Sequence, residues 1–534
     1  MTDRSNYSKI ALNPVYRPED IADLDYGESL NDPGSYPYTR GNRMPKEGVG
    51  AFIERELSGE GDPGRSNKQL KYLLEKGQKG IDLIGDAPTV SWIDPDHPLA
   101  IHAVGCQGVS LCCLQDYREL YQGLPLDRIT VSNSWPAPFA SAGLYLVAGE
   151  NGFSPSILRG SVVQFILYGE DCSYAVNLPL SLRLRLAADS IEFCSREMPK
   201  FHAFLEDTYF ISEVGLTAVE EMALGFVEIR YVVRDMLRRG VAIDSFAPRI
   251  ALLVNCGMDF FEEIAKIRAT RRLFARMMKE EFGAQDPRSM AVVVASHTSG
   301  LSLTAQQPFN NIARGALQAM ALALSGVQAI EISAFDEAYR TPSPESHLVG
   351  LRTQQVIQEE SQVTRVADPL GGSYYVEKLT NEMERHIWDM VTRIESSGDA
   401  GILCEEGYFR SILVQAAERY TAQIRSGERK QVGVNSHQIP EEEDRLLKEV
   451  TGEKIEPCRE RIDMIKTYKK NREQPPLREA LHALKGGVEH QGGNLIDLIV
   501  AATRAGATLG EMTGVMRMGR GMEYDPHRMM EAPI

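Results

Sequence analysis

The chain has 534 residues, 43% of them hydrophobic, 25% charged and 7% aromatic, the composition of a globular protein with room for a large core. Its net charge of −16, from 58 Lys+Arg against 74 Asp+Glu, argues against nucleic acid, which needs a dense basic face. No run approaches the ~18–20 apolar residues of a membrane-spanning helix, and residues 1–20 (MTDRSNYSKIALNPVYRPED) contain no apolar signal core, so a cytoplasmic location is expected.

Residues 1–50 are rich in Pro, Gly, Asn and Asp and read as an extended arm that is stable only when wrapped on something larger. From about residue 66 a helix-like segment, a β-rich run and a polar turn alternate. The β-rich runs are GIDLIG (80–85), VSLCC (109–113), ITVSNS (129–134), SVVQFIL (161–167), FHAFLED (201–207), RIALLVNC (249–256), MAVVVASH (290–297) and AIEISAF (329–335). The central ones are continuous apolar runs, as expected of enclosed parallel strands. Among the helices, 216–240 carries an apolar stripe of Val219, Met222, Phe226, Ile229, Val233, Met236 and Leu237, with Glu220, Glu221, Arg230, Arg234 and Arg238 placed outside it. Segments 260–282 and 310–325 read similarly.

Eight such alternations are the signature of an α/β fold of the (β/α)8 TIM-barrel kind, over residues 51–375. An open doubly wound sheet is the rival, weakened because no Gly-x-Gly-x-x-Gly turn follows an early strand. Residues 376–534 read as a helical C-terminal region, with helices over 379–397, 406–426 and 476–516 and a charged, solvated connector over 438–475.

The eight cysteines (Cys106, Cys112, Cys113, Cys172, Cys194, Cys256, Cys404 and Cys458) lie mostly in apolar runs and read as reduced core thiols, with no spacing that suggests a metal site. Barrel active sites lie at the C-terminal ends of the strands. That rule nominates Gly85 and Asp86, Asn133 and Ser134, Glu206 and Asp207 with Tyr209 and Phe210 beyond, His297, and Ser333 with Asp336 and Glu337. His297, in the run SHTSG, suits a general acid/base or a hydrogen-bond donor to a carbonyl. Asp336 and Glu337 are adjacent, so both cannot face one lumen, and one of them suits a helix cap. No P-loop, HExxH or nucleophile elbow is present, so chemistry would have to come from a cofactor.

Specific strings carry the reading further. YPYTRG (36–41), GLPLDRITVS (123–132), SFAPRIALLVNCGMDFFEEIAKIRATRRL (245–273), SHTSGLSLTAQQPFNNIARGALQAMA (296–321), ISAFDEAYRTP (332–342) and VADPLGGSYYVEKLT (366–380) resemble, in order, the substrate-binding subunit of the adenosylcobalamin-dependent acyl-CoA mutases, the methylmalonyl-CoA mutase family. The resemblance implies a barrel with an open lumen along which a coenzyme A thioester threads. It also implies adenosylcobalamin at the C-terminal face and a radical isomerisation. The family's cobalamin module is flavodoxin-like with an Asp-x-His-x-x-Gly motif, which this chain lacks. A separate small cobalamin-binding subunit is therefore expected, in a heterotetramer of two large and two small chains.

By the same resemblance Arg249 matches an arginine at the CoA phosphates, Arg55 another CoA contact, and Glu337 an acid at the adenosyl ribose, with Ser333 nearby. Other positions depart. A tyrosine above the corrin falls at or near Leu57, and a catalytic histidine becomes Phe210 after a retained Tyr209. A glutamine becomes His297, a phenylalanine becomes Gly85 between Asp82 and Asp86, and around 168–176 the arginine that clamps methylmalonyl's free carboxylate is missing. A buried carboxylate without that arginine is costly, so the expected substrate is another acyl-CoA, branched, hydroxylated or aromatic. His297 would hold the thioester carbonyl. Asp82 or Asp86 would meet a substrate hydroxyl or amine, unless they only cap and turn the chain. The alternatives are a catalytically silent scaffold subunit, or a mutase acting on an acyl group not carried by CoA.

Overall fold

The computed structural model describes residues 5–44, 51–169, 178–445, 447, 455–490 and 492–534. Cys172 and most of the 168–176 stretch lie outside the described residues. Nine parallel strands form a nearly closed barrel: β1 (Ile53–Arg55), β2 (Leu57–Ser58), β3 (Gly80–Ile84), β4 (Thr130–Ser134), β5 (Gly160–Gln164), β6 (Phe201–Asp207), β7 (Ile250–Cys256), β8 (Val293–Thr298) and β9 (Ala329–Glu331). Their order is β1-β9-β8-β7-β6-β5-β4-β3-β2. The sheet thus begins and ends on two short pieces separated in sequence by Glu56 alone, which is the barrel and not the open doubly wound sheet.

Two details differ from the expectation. VSLCC forms no strand: Val109 makes only an isolated bridge to Gly85, and the chain then enters the helix Leu114–Leu120. The barrel's remaining strand is the broken β1/β2 pair, in IERELS, whose charged residues hide a β signal that rests on pairing with neighbours.

The chain divides into two compact units, Met1–Glu56 with Glu206–Lys454, and Leu57–Leu205 with Ile455–Ile534. In the first, the helix Ala218–Arg238 starts with a capping box in which Thr217 Oγ1 accepts from Glu220 N and Glu220 Oε2 accepts from Thr217 N at 2.9 Å. Its expected stripe is buried except for Leu237, which is half-buried. Glu221 and Arg230, placed outside it from sequence, are buried too, because partners wait for them. Lys266 Nζ donates to Glu221 at 2.8 Å, and Arg230 pairs with Glu281 and Glu395. The helix Phe260–Arg276 buries Arg268, Arg271 and Arg272. Arg268 meets Asp368 and Glu377, Arg271 donates to the carbonyls of Ser325 and Gly326, and Arg272 donates to Asn381.

In the second unit the predicted 476–516 helix is three helices, Gln474–Glu489, Leu495–Arg504 and Leu509–Gly519, broken at glycine-containing turns near 492–493 and 506. The charged connector contains the helix Arg459–Asn471. Its Lys469 reaches Asp94 at 2.9 Å and Asp96 at 2.7 Å.

Candidate functional site

Strand register sets out the site in the first unit. Arg55 on β1 partners Glu331 on β9, Glu331 partners His297 on β8, and His297 partners Asn255 on β7. In-register residues of parallel strands share a face. The neighbouring residues point at the covering helices. Cys256 Sγ lies 3.5 Å from the Gln318 carbonyl on the helix Asn310–Ser325, and Glu56 accepts from Gln354 Nε2 at 2.7 Å on the helix Pro344–Gln355. The row Arg55–Glu331–His297–Asn255 therefore faces inward, and all four side chains are buried. A barrel lumen is ordinarily filled by branched apolar residues; here four adjacent strands offer polar and charged ones.

His297 is 3% exposed, with Nδ1 3.7 Å from Glu331 Oε2. Tyr209, on the short helix Thr208–Ser212 after β6, sets its ring edge-on to the imidazole with centroids 4.8 Å apart. Two further carboxyls approach. Glu213, which follows β6, accepts from Asn255 Nδ2 (2.9 Å), Ser299 Oγ (2.8 Å) and Leu301 N (2.6 Å), so one side chain ties the end of β7 to the segment after β8. Glu337, after β9, is pushed up to about 8 by burial and then by Glu331 and Glu213, with His297 acting in the opposite sense. At neutral pH it is mostly a protonated acid that can donate as well as accept. Burial and the same carboxylates raise the Tyr209 phenol.

Other nominated residues have duties in the fold. Asp336 accepts from Arg340 Nε at 2.7 Å and from Ser343 N, so of the adjacent pair Glu337 is the one near His297. Ser333 donates its hydroxyl to the Thr298 carbonyl at 2.7 Å and its N–H to Thr298 Oγ1 at 2.8 Å. Phe210 is 38% exposed, and its N–H donates to Asp207. Arg249 precedes β7, at the opposite end of that strand from Asn255, and burial with nearby Arg288 lowers its pKa. Six residue steps separate the two, roughly 20 Å of rise.

In the second unit Leu57, Asp82, Ser132 and Ser161 are successive partners across β2, β3, β4 and β5. Ser132 Oγ lies 2.8 Å from Ser161 Oγ. The next residue along, Asn133, accepts from Tyr121 on the outer side, which turns this row inward too. Asp82 is 2% exposed within it. Asp86 instead caps the helix Ala87–Val90: Oδ1 accepts from Thr89 N (2.9 Å) and Thr89 Oγ1 (2.6 Å), and Oδ2 accepts from Gly105 N (2.8 Å). Burial raises it to about 6 against those bonds. Of the two carboxylates named from sequence, Asp86 has the capping role and Asp82 the inward one. Gly85 is closely packed, since a Cβ there would come within 2.9 Å of Thr89 Cγ2 and 3.2 Å of Trp135 Cβ.

Sequence reasoning missed Glu331, Glu213 and Asn255. Glu331 had a signal: a carboxylate inside the apolar run AIEIS needs a partner where it is buried. Glu213 had none, because its partners come from segments far along the chain. Cys112, Cys113 and Asp116 lie close enough to share a metal ion. Asp116, however, accepts from the N–H groups of Cys112 and Cys113 and pairs with Arg461, which serves a helix start.

The family pattern described as Methylmalonyl-CoA mutase matches residues 5–522. The chain belongs to the methylmalonyl-CoA mutase family. It is 34% identical over 516 residues to methylmalonyl-CoA mutase of Rhizobium meliloti (strain 1021), covering 96% of this chain and 72% of that one. To the 2-hydroxyisobutanoyl-CoA mutase large subunit of Aquincola tertiaricarbonis it is 32% identical over 500 residues, covering 93% of this chain and 88% of that one. To the methylmalonyl-CoA mutase large subunit of Porphyromonas gingivalis (strain ATCC BAA-308 / W83) it is 33% identical over 507 residues, or 95% and 70% of the two chains. This chain carries His297 and Glu331 side by side on the barrel's inner face. No helix among the described residues is long and apolar enough to cross a membrane.

Proposed function

We propose that the chain is the large, substrate-binding subunit of an adenosylcobalamin-dependent carbon-skeleton mutase. Its substrate would be a hydroxylated acyl-CoA other than methylmalonyl-CoA, and a separate small subunit would hold the cobalamin. The observation that carries the reading is the inward polar row ending at His297. A thioester laid along the strands with its phosphates toward Arg249 would bring its carbonyl toward the far end of β7 and β8. There the His297 imidazole donates to the carbonyl oxygen and Tyr209 packs beside it. Asp82 accepts from the substrate hydroxyl. A site that hydrogen-bonds a substrate hydroxyl discriminates strongly against an analogue lacking it.

When bound, adenosylcobalamin supplies the radical that takes a hydrogen from the substrate and returns it. Residues of this chain fit that group: Glu337 is a buried, mostly protonated acid suited to ribose hydroxyls, and Leu57 offers an apolar surface in register with Asp82. Ser333, held to Thr298, is the further residue we assign to this group. The chain's own contribution is to position the thioester and keep water from the reacting carbons. The names of two relatives, which call them large subunits, support the expectation of a small partner.

Two measurements test this reading. Coenzyme A stabilises the native chain against heat, as a native-state ligand must, and Arg249→Ala removes most of that protection. Asp82→Leu lowers kcat/KM for a hydroxylated acyl-CoA by about 10²-fold while affecting its unhydroxylated analogue far less, in line with a charge-assisted hydrogen bond of roughly 1.5–3 kcal/mol. Equal losses on both substrates, or no protection by CoA, would count against it.

A further inference from the structure

A glutamate in the middle of an inward-facing strand needs an explanation. Glu331 is 3% exposed and stands between Arg55 and His297 in the row. Desolvating a carboxylate costs several kcal/mol unless positive charge faces it. Its register neighbour on one side is Arg55; on the other, 3.7 Å from its Oε2, is the Nδ1 of His297.

The geometry has a consequence for the imidazole. A carboxylate beside Nδ1 favours a proton on Nδ1. A neutral ring with its proton there has a bare Nε2, which accepts and cannot donate. If His297 donates a hydrogen bond to a carbonyl through Nε2, both ring nitrogens must carry protons, and the ring must be the cation.

We infer that Glu331 is a positioning residue that holds His297 as an imidazolium with Nδ1–H toward the carboxylate and Nε2–H toward the thioester carbonyl. The inference rests on the proposed mutase reading for the carbonyl, but not for the charge state of the ring. No proton is transferred: the cation polarises the carbonyl by hydrogen bonding and keeps its proton. A neutral glutamine at position 297 would bind the same oxygen more weakly, because a charge-assisted hydrogen bond is roughly twice as strong as a neutral one.

The charged and titratable groups around the ring agree with this state. Glu331 faces it from β9, and Glu213 from the segment after Thr208–Ser212. Glu337 comes from beyond β9, Tyr209 lies against its face, and Arg55 stands on the far side of Glu331. Glu213 is bound by three donors, and Glu337 is mostly protonated near neutrality. Of these, Glu331 places an oxygen 3.7 Å from Nδ1.

Ring nitrogen NMR on the full chain, without partner or substrate, distinguishes imidazolium from either neutral tautomer, and His297→Gln assigns the signal. The wild-type ring is expected as imidazolium at pH 7. In Glu331→Gln its titration midpoint falls by about one pH unit or more, the scale of an opposite charge within ~4–6 Å. A neutral wild-type ring, or a midpoint unmoved in Glu331→Gln, overturns the inference.

Turnover with the cobalamin-binding partner gives a second readout. Deprotonation of His297 should appear as a high-pH limb in kcat/KM that moves to lower pH in Glu331→Gln and disappears in His297→Gln. Because Glu337, at about 8, can give a limb of its own, the profiles of wild type and His297→Gln are compared: identical profiles also overturn the inference, and this comparison decides the matter if Glu331→Gln does not fold. Should no acyl-CoA turn over while the NMR result holds, the mutase reading fails and the charge pairing stands.

Discussion

Glu213 shows how much of the site one side chain organises. It receives hydrogen bonds from Asn255, Ser299 and Leu301, so Glu213→Ala strands three donors at buried or half-buried positions. At roughly 1–3 kcal/mol for an unsatisfied buried group, unfolding in urea should show a loss of about 3 kcal/mol or more. Mutase activity should fall with it, since the end of β7 and the segment after β8 lose their common anchor. At this scale the sequence was a partial guide. The strand-end rule found His297 and Glu337, because position along a strand is readable from an apolar run. It could not find Glu213, whose meaning depends on which loops the barrel brings together. For Asp82 and Asp86, four residues apart, it left capping and substrate binding open; only the orientation of each carboxylate separates them.

Secondary elements carry the next layer of constraint. The helix Ala218–Arg238 is entered through the Thr217–Glu220 box, so Thr217→Ala should cost about 1 kcal/mol. Within it Gly225 lies against Thr208, where an added Cβ would come within 2.5 Å of Thr208 Cγ2. Alanine is the better helix former by ~1 kcal/mol, yet Gly225→Ala should lower the melting temperature, because overpacking costs about 1–3 kcal/mol and displaces the segment that carries Tyr209. A raised melting temperature would show that the helix can shift away from β6. Most elements were legible because the apolar periods of 3.6 or the continuous apolar runs are strong in this chain. VSLCC misled for a physical reason: it is apolar and buried, and burial alone does not make a strand. β1 and β2 were hidden for the converse reason, being short, charged and stabilised by neighbours distant in sequence.

Across the whole molecule, buried acids set the response to pH. Burial pushes Glu262 up to about 8, with Asp259 adding to it, Glu337 likewise to about 8, and Asp86 to about 6. Each holds its proton longer folded than unfolded, so its contribution is full below the unfolded value and is lost as pH rises through the folded one. His347 acts oppositely: burial lowers it to about 4, so its effect appears as pH falls from 6.5 toward 4. Between pH 6.5 and 8.5 only the acids contribute among these groups, and the melting temperature should fall over that range. Glu262→Gln, whose single amide oxygen keeps one of the two acceptors used by the Tyr7 and Ser8 N–H groups, should flatten the fall while lowering stability overall.

The barrel itself was readable from eight alternations and a family of matching strings. The polar inner rows were not, because inward and outward residues of an enclosed strand look alike until its register is known. Those rows support the central claim, a mutase large subunit whose substrate is an acyl-CoA other than methylmalonyl-CoA. The most direct test combines the chain, its cobalamin-binding partner and adenosylcobalamin with a panel of acyl-CoAs, reading isomer formation by mass spectrometry and the substrate-dependent paramagnetic signal. The account predicts an isomer and a signal with a hydroxylated acyl-CoA, at a rate well above that with methylmalonyl-CoA. Preferential conversion of methylmalonyl-CoA, or no isomer and no signal across the panel, would contradict it.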